Sequence, residues 1–224
     1  MLASDKLQDF FFNLKLNKPS GSDIEVMNPY LNLYVKEICS EFFNRFFSDN
    51  NKRILILGIN PGRFGAGVTG ITFTDPIRLE KECGIKNNFS KKPEVSSVFI
   101  YDMIREYGGP SAFYSCFMLS AICPLGFTRS GKNINYYDNQ SLSAYLKDFI
   151  VQTLQHQVCI AGISEKVFCL GEGKNFRFLD DLNKELHFFN EIIPLPHPRW
   201  IMQYHYRERL DYIKKYCNVL RTLI

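Results

Sequence analysis

Hydrophobic positions along this chain alternate between short unbroken runs and longer stretches where they recur every three or four residues. The clearest run is Arg53-Ile-Leu-Ile-Leu-Gly58. It is too short for a core helix and carries no polar alternation, as expected of a strand covered on both faces in a parallel sheet. Similar runs at Phe113–Ser120, Val167–Gly171 and Glu191–Leu195 predict three further strands. Helical spacing predicts helices near Val95–Tyr107, Ser141–His156 and Lys174–Leu186, and a last one from about Gln203 to Leu220. Alternating strand and helix signals imply βαβ units. The expected fold class is therefore α/β, a three-layer α/β/α sandwich around a central, mainly parallel, four-stranded sheet.

Residues 1 to about 50 look helical, with Asp23 placed to cap a segment running through Ile24, Val26, Leu31 and Val35, interrupted early by Pro29. They are expected to form a helical N-terminal extension packed on a single domain spanning 1–224. Between Gly58 and Glu94 lies a Gly/Pro/Asn-rich stretch with little periodicity, and long loops within compact domains are commonly functional.

Composition narrows the class only modestly. Of 224 residues, 46% are hydrophobic and 22% charged, ordinary for a globular protein. The net charge of +4 is too small to diagnose a nucleic-acid partner. From His197 to Ile224, however, six Lys/Arg face two Asp/Glu, so the basic excess is concentrated at the C-terminal end. That stretch suits either a solvated helix face or a phosphate-contacting one. Seven cysteines, at 39, 83, 116, 123, 159, 169 and 217, include no C-x-x-C pair, and their spacing fits neither zinc nor iron–sulfur ligation. No metal and no cofactor are expected. The apolar surroundings of most of these thiols, the absence of a signal-peptide pattern and of any run approaching about 20 apolar residues point to a cytoplasmic protein without membrane contact.

The strongest chemistry-bearing segment is Gly58-Ile-Asn-Pro-Gly-Arg-Phe-Gly-Ala-Gly-Val-Thr-Gly-Ile-Thr-Phe73. It leaves the carboxyl end of the first strand, where open α/β sheets bind ligands. It lacks the G-x-x-x-x-G-K-[ST] cradle, and its glycines do not open a helix in G-x-G-x-x-G spacing. Asn60 offers a carbonyl acceptor and amide donors, enough to hold and steer a water. The same residues also suit a structural Gly/Pro turn with Asn60 capping backbone.

Gly58-Ile59-Asn60-Pro61-Gly62, followed by Phe64-Gly65, Thr69-Gly70 and Phe73, resembles the first motif of the single-strand-selective monofunctional uracil-DNA glycosylases, within the uracil-DNA glycosylase superfamily. The resemblance continues at Glu94-Val95-Ser96, at Cys123-Pro124-Leu125 with Ser130-Gly131-Lys132-Asn133, and at His197-Pro198. These markers span about residues 54 to 215 in family order and leave the first 50 uncovered. The resemblance implies a DNA glycosylase of base excision repair, acting on a flipped base in single- or double-stranded DNA, working as a monomer. It implies that Asn60 positions the attacking water, that Phe73 stacks on the base, and that Ile59, Gly62 and Phe64 line the substrate. His197, set between Pro196 and Pro198 in a rigid extended presentation, would donate a neutral imidazole N–H to the departing base. His156, His187 and His205 fall in expected helices and suit packing or surface positions.

Two departures stand out. The family's base-reading Asn, just before Cys-Pro-Leu, is replaced: ungapped alignment puts Ala121 there, and a one-residue insertion puts Ser120 there. A rotating hydroxyl discriminates bases less sharply than a fixed amide, which opens the pocket to other deaminated or oxidised bases. The family's His-Pro-Ser-Pro-Arg-Asn wedge reads His197-Pro-Arg-Trp-Ile-Met202 here, so Arg199 either fills the gap left by the flipped nucleotide or contacts phosphate. Arg63, Lys132 and Lys174 are further phosphate candidates, and Ser96 and Ser97 at a helix start offer backbone N–H groups. No lysine stands where the family would form a Schiff base, so simple hydrolysis to an abasic site is expected. A catalytically silent DNA or damaged-base binder of the same fold is the alternative.

Overall fold

The computed structural model describes residues 1–222. In chain order it comprises α1 (Ala3–Phe12), β1 (Ile24–Met27), α2 (Leu33–Phe46), β2 (Arg53–Gly58), α3 (Ala66–Thr69), α4 (Pro76–Lys81), α5 (Val95–Tyr107), α6 (Pro110–Cys116) and β3 (Phe117–Ala121). It continues through β4 (Gly126–Arg129), β5 (Lys132–Ile134), α7 (Gln140–Ala161), β6 (Gly162–Leu170), α8 (Lys174–Leu186), β7 (Glu191–Leu195), α9 (Pro198–Tyr204) and α10 (Arg209–Arg221). No described helix is long and apolar enough to cross a membrane.

Four strands form the central sheet in the order β3-β2-β6-β7, and every pairing is parallel. All six positions of β2 are buried, as a strand covered on both faces requires. Helices α6, α7 and α8 pack on it, α6 over β2 and β3, α7 over β2 and β6, α8 over β6. The chain leaves β2 toward β3 on one side and reaches β6 and β7 on the other. The crevice beyond the carboxyl ends of these strands is thus the topological switch point at which such sheets bind ligands.

The expected α/β fold is present, with four local corrections. Ile24–Met27 is not the start of a helix. It is a strand pairing antiparallel with β4, and Asp23 lies 2.9 Å from Arg129 rather than capping. The helix begins nine residues later at Leu33, where the Asn32 side chain accepts the Tyr34 N–H. The Phe113–Ser120 run is split. Pro110 at the first helical position starts α6, and β3 begins only at Phe117. The last helix is two, since α9 ends at Tyr204 before a 3-10 turn and α10. A second, three-stranded antiparallel sheet, β1-β4-β5, stands beside the main one. Its hairpin turns through Ser130 and Gly131, both with positive φ (49° and 69°), as two-residue hairpin loops favour.

The N-terminal segment shares the main core. Leu7, Phe11, Phe42 and Phe43 belong to the same buried cluster as Leu55 and Phe117. Arg53, 1% exposed, ties the end of this segment to α6 by donating to the carbonyls of Phe46 and Tyr114 and pairing with Asp49. All seven cysteines are free; Cys159 is exposed and Cys116 half-buried, the others buried.

The segment also touches the loop after β2. Tyr30 donates to the carbonyl of Gly70 at 2.7 Å, and a Cβ on Gly70 would lie 2.6 Å from Cys39 Sγ. Gly70 has φ +74°, a conformation costing a side-chain-bearing residue about 1–2 kcal/mol, to which the clash adds about 1–3 kcal/mol. Gly70→Ala should therefore lower stability by about 2–5 kcal/mol in denaturant unfolding. A loss below about 0.5 kcal/mol would show that α2 yields freely.

Candidate active site

The loop after β2, the ends of β3 and β7 and the hairpin β4–β5 enclose a cleft of about 770 Å³. That volume suits a small-molecule or base-sized ligand with room around it. Asn60, Phe73 and His197 all line it.

Asn60 is half-buried and its amide is held at both ends. Nδ2 donates to the Ile134 carbonyl at 3.3 Å, and Oδ1 accepts the Tyr136 N–H at 3.1 Å. Since a backbone N–H only donates and a carbonyl only accepts, these two bonds fix which end of the amide is oxygen. A carbonyl oxygen has two lone pairs, so one remains for a water proton. The structural turn suggested by Gly58–Gly62 and the water-holding amide are thus compatible, because Asn60 braces backbone and keeps acceptor capacity.

Phe73 has φ 55°, a left-handed conformation that costs a bulky residue about 1–3 kcal/mol and persists only where its surroundings enforce it. The turn around it is held by hydrogen bonds: Thr69 Oγ1 donates to the Thr74 carbonyl at 2.6 Å, and Thr74 N–H returns to the Ile71 carbonyl. The Phe73 ring lies over Gly58, where a Cβ would come within 2.7 Å of Cζ. Only a glycine at the end of β2 admits the ring there. Its centroid is 6.2 Å from the His197 imidazole, with the planes tilted 52°.

His197 has extended backbone (φ −66°, ψ 133°), as its flanking prolines predict, but Pro198 then opens α9 and His197 caps it. Its Nδ1 accepts the Arg199 N–H at 3.1 Å. In the neutral ring the proton is therefore on Nε2. Burial, with the Arg199 charge adding to it, lowers the imidazole pKa from 6.5 to about 4. Behind the residue, the Tyr216 hydroxyl of α10 donates to the Pro196 carbonyl, and Gly171 N–H donates to Leu195.

The other expected residues divide. Ile59, Gly62, Arg63, Phe64, Lys132 and Arg199 line the cleft with the three above. Arg63 N–H donates to Asn133 Oδ1 at 3.2 Å, its guanidinium bonds the Gly131 carbonyl and stacks 4.6 Å from the Phe64 ring. Ser96 lines the cleft, but its N–H and that of Ser97 already donate to the Glu94 carboxylate at 3.1 and 2.9 Å. The helix start is thus capped from within and offers a phosphate neither group. Burial, with Asp75 adding to it, raises the Glu94 pKa against those hydrogen bonds. Ser120 is 1% exposed, its hydroxyl has no partner among the described residues, and Ala121 lines the cleft instead. Strand alternation turns Ser120 away from the substrate side on which Ala121 stands, against the expected substrate contact. Lys174 opens α8, exposed and outside the cleft lining, so it is not assembled with the other candidates.

Sequence reasoning missed Tyr136, Asn133, Trp200 and Tyr204. Asn133 and Tyr136 act on the first loop from the hairpin side. Trp200 (41% exposed) and Tyr204 (73%) stand on α9 at the cleft. Their i, i+4 spacing would have marked one helix face had the helix been expected to start at Pro198. Among the described residues, no group of three or more His, Cys, Asp or Glu could hold a metal ion.

Comparison with known proteins accords with this geometry. Residues 45–221 match the family model described as the uracil DNA glycosylase superfamily. The chain belongs to the uracil-DNA glycosylase superfamily. It is also similar to the crystal structure of wild-type Pedobacter heparinus SMUG2, with 42% sequence identity and a TM-score of 0.95, covering 100% of this chain and 98% of that one. Among curated proteins, none matches it. The structural likeness includes the first 50 residues, which the motifs alone leave uncovered.

The imidazole yields a direct prediction. With a folded pKa near 4 and an ordinary value of 6.5, His197 binds its proton less readily when folded. Its contribution to stability is then fully present above pH 6.5 and is lost as pH falls toward 4. Titration of the His197 ring by NMR should give a midpoint near 4; a midpoint near 6.5 would show an open, solvated ring.

Proposed function

We propose that this protein is a monofunctional DNA glycosylase hydrolysing the N-glycosidic bond of uracil or a related deaminated base, leaving an abasic site for base excision repair. The observation that carries the reading is the convergence of Asn60, Phe73 and the neutral His197 on one cleft.

A base inside a duplex is inaccessible, so the target nucleotide must be extruded, at a cost of a few kcal/mol that is least for mispairs and single strands. Phe73 supplies a face for stacking, worth about 1–3 kcal/mol per base. As the glycosidic bond breaks, negative charge gathers on the base and positive charge on the sugar. His197 Nε2–H is the preorganised donor for the base oxygen, and its depressed pKa keeps it neutral without requiring a proton from solvent. The free lone pair of Asn60 Oδ1 accepts a proton of the attacking water and orients it toward the sugar. An oxocarbenium-like sugar needs a placed water more than a strong base, which suits an amide.

At the base edge Ala121 offers no polar side chain. Discrimination must come from backbone groups and His197, so deaminated purines belong among the substrates to be tested. Arg63, Lys132 and Arg199, exposed around the cleft, supply phosphate contacts. Lys132 is the only lysine lining the cleft among the described residues and sits at the hairpin turn. Lys132 is read as a phosphate contact, so the proposed reaction is hydrolysis without a Schiff base and without strand cleavage.

End-labelled oligonucleotides carrying one uracil, hypoxanthine or xanthine should break at the lesion only after alkali. Binding without abasic product would instead favour a silent damaged-base reader, which the loss of the side-chain amide at Ala121 would explain. His197→Ala should lower the single-turnover rate about 100- to 1000-fold, the effect of removing one preorganised donor. Asn60→Ala should lower turnover far more than DNA binding, and equal losses would remove its assigned role. The wild-type rate should stay level between about pH 5.5 and 8 as far as His197 is concerned. A tenfold rise per unit of acidification would mean that the imidazolium acts.

A further inference from the structure

The Asn60 amide is oriented mainly from outside its own loop, which contributes only a long 3.5 Å bond from Nδ2 to the Pro61 carbonyl. Its two shorter bonds go to the Ile134 carbonyl, at the end of β5, and to the Tyr136 N–H, in the segment that leaves β5 for α7. Past Ile134 that segment has left the antiparallel sheet, so ladder hydrogen bonds no longer fix it.

A turn between Asn135 and Asp138 shapes it locally, and the Tyr136 side chain ties it to the core. Its ring is fully buried, edge-on to Phe178 at 4.8 Å and to Tyr137 at 4.9 Å. Its hydroxyl donates to Asn175 Oδ1 at 2.9 Å. Asn175, 2% exposed in the first turn of α8, donates through Nδ2 to the carbonyl of Leu170, the last residue of β6, at 3.1 Å. That bond orients the second amide as firmly as Tyr136 orients the first. An unbroken path of oriented hydrogen bonds thus runs from the end of a central strand, through Asn175 and Tyr136, to Asn60.

We propose that Tyr136 and Asn175 are positioning residues for the reaction, holding the Asn60 carbonyl oxygen toward the attacking water by anchoring it to the end of β6. The inference rests on the glycosylase reading above. Two physical requirements make the anchor necessary. Rotation of the Asn60 amide by half a turn would exchange acceptor for donor and present N–H groups to the water. Displacement of a positioning group by about 1 Å can cost about 100-fold in rate. Burial of the Tyr136 phenol, whose pKa is raised well above its ordinary value, keeps the hydroxyl a donor throughout the working pH range.

Tyr136→Phe retains the ring and removes the tie, and Asn175→Ala removes it from the other end, so either variant serves if its partner fails to fold. Each should lower the single-turnover rate on uracil DNA by about 10- to 100-fold. The Kd for the same DNA with an uncleavable 2′-fluoro nucleotide should stay within about twofold of wild type. In an Asn60→Ala background neither substitution should slow the residual reaction further. Phe178→Leu, which loosens the packing of the ring but leaves the hydrogen bonds, should lower Tm with little change in rate. The NMR signals of the Asn60 side-chain amide should shift in Tyr136→Phe and not in Phe178→Leu. A Tyr136→Phe enzyme as fast as wild type, or losses that add to those of Asn60→Ala, would overturn the proposal. Should the wild type yield no abasic product from any lesion, the glycosylase reading fails by itself. The NMR measurement then decides the anchor alone, and an Asn60 signal indifferent to Tyr136→Phe overturns it.

Discussion

The carboxamide of Asn60 is clamped between a carbonyl that can only accept and an N–H that can only donate. An unclamped asparagine would sample rotamers and both amide orientations, and a water bound to it would have no fixed direction. The rest of the cleft is arranged around this constraint. The hairpin β4–β5 brings Ile134 and Asn133 against the first loop, and β1 pairs along β4 to complete its sheet. The N-terminal segment thereby belongs to the same construction, bracing the hairpin through β1 and the first loop through the Tyr30 hydrogen bond to Gly70.

The imidazole of His197 is set by different means. Among the described residues no negative group raises the His197 pKa; burial and Arg199 lower it, and the Arg199 N–H occupies Nδ1. One backbone hydrogen bond therefore sets the tautomer, the ring orientation and the start of α9 together. Phe73 completes the arrangement at the expense of backbone strain, its ring admitted over β2 only because residue 58 has no side chain. Strain of this kind beside a cleft is the usual mark of a preorganised site.

Much of this was legible in the residues. β2, α5 and α8 have strong, uninterrupted hydrophobic signals and appear where the pattern predicts, α5 and α8 with the very bounds expected. The short strands were invisible because three or four residues cannot display alternation, and their pairing joins Ile24–Met27 to residues about a hundred positions away. α6 resembled a strand because Phe and Tyr favour strands; the decisive signal was Gly109-Pro110, a helix start. Asn60, Phe73 and His197 stand at motif positions, so sequence could single them out as candidates, and the fold brings all three to one cleft. Tyr136 contributes a backbone N–H and a buried hydroxyl, which no residue pattern reveals. Ser120 offers a hydroxyl, yet strand alternation decides which of two neighbours meets the cleft, and that is Ala121.

The convergence of amide and imidazole on one extruded nucleotide is tested most directly by a crystal structure with DNA carrying an uncleavable 2′-fluoro-deoxyuridine. The base should lie on the Phe73 ring, with a carbonyl oxygen about 3 Å from His197 Nε2 and an ordered water within about 3 Å of Asn60 Oδ1 on the sugar side. A base bound outside the cleft, or a sugar with His197 and Asn60 both beyond hydrogen-bonding reach, would contradict it.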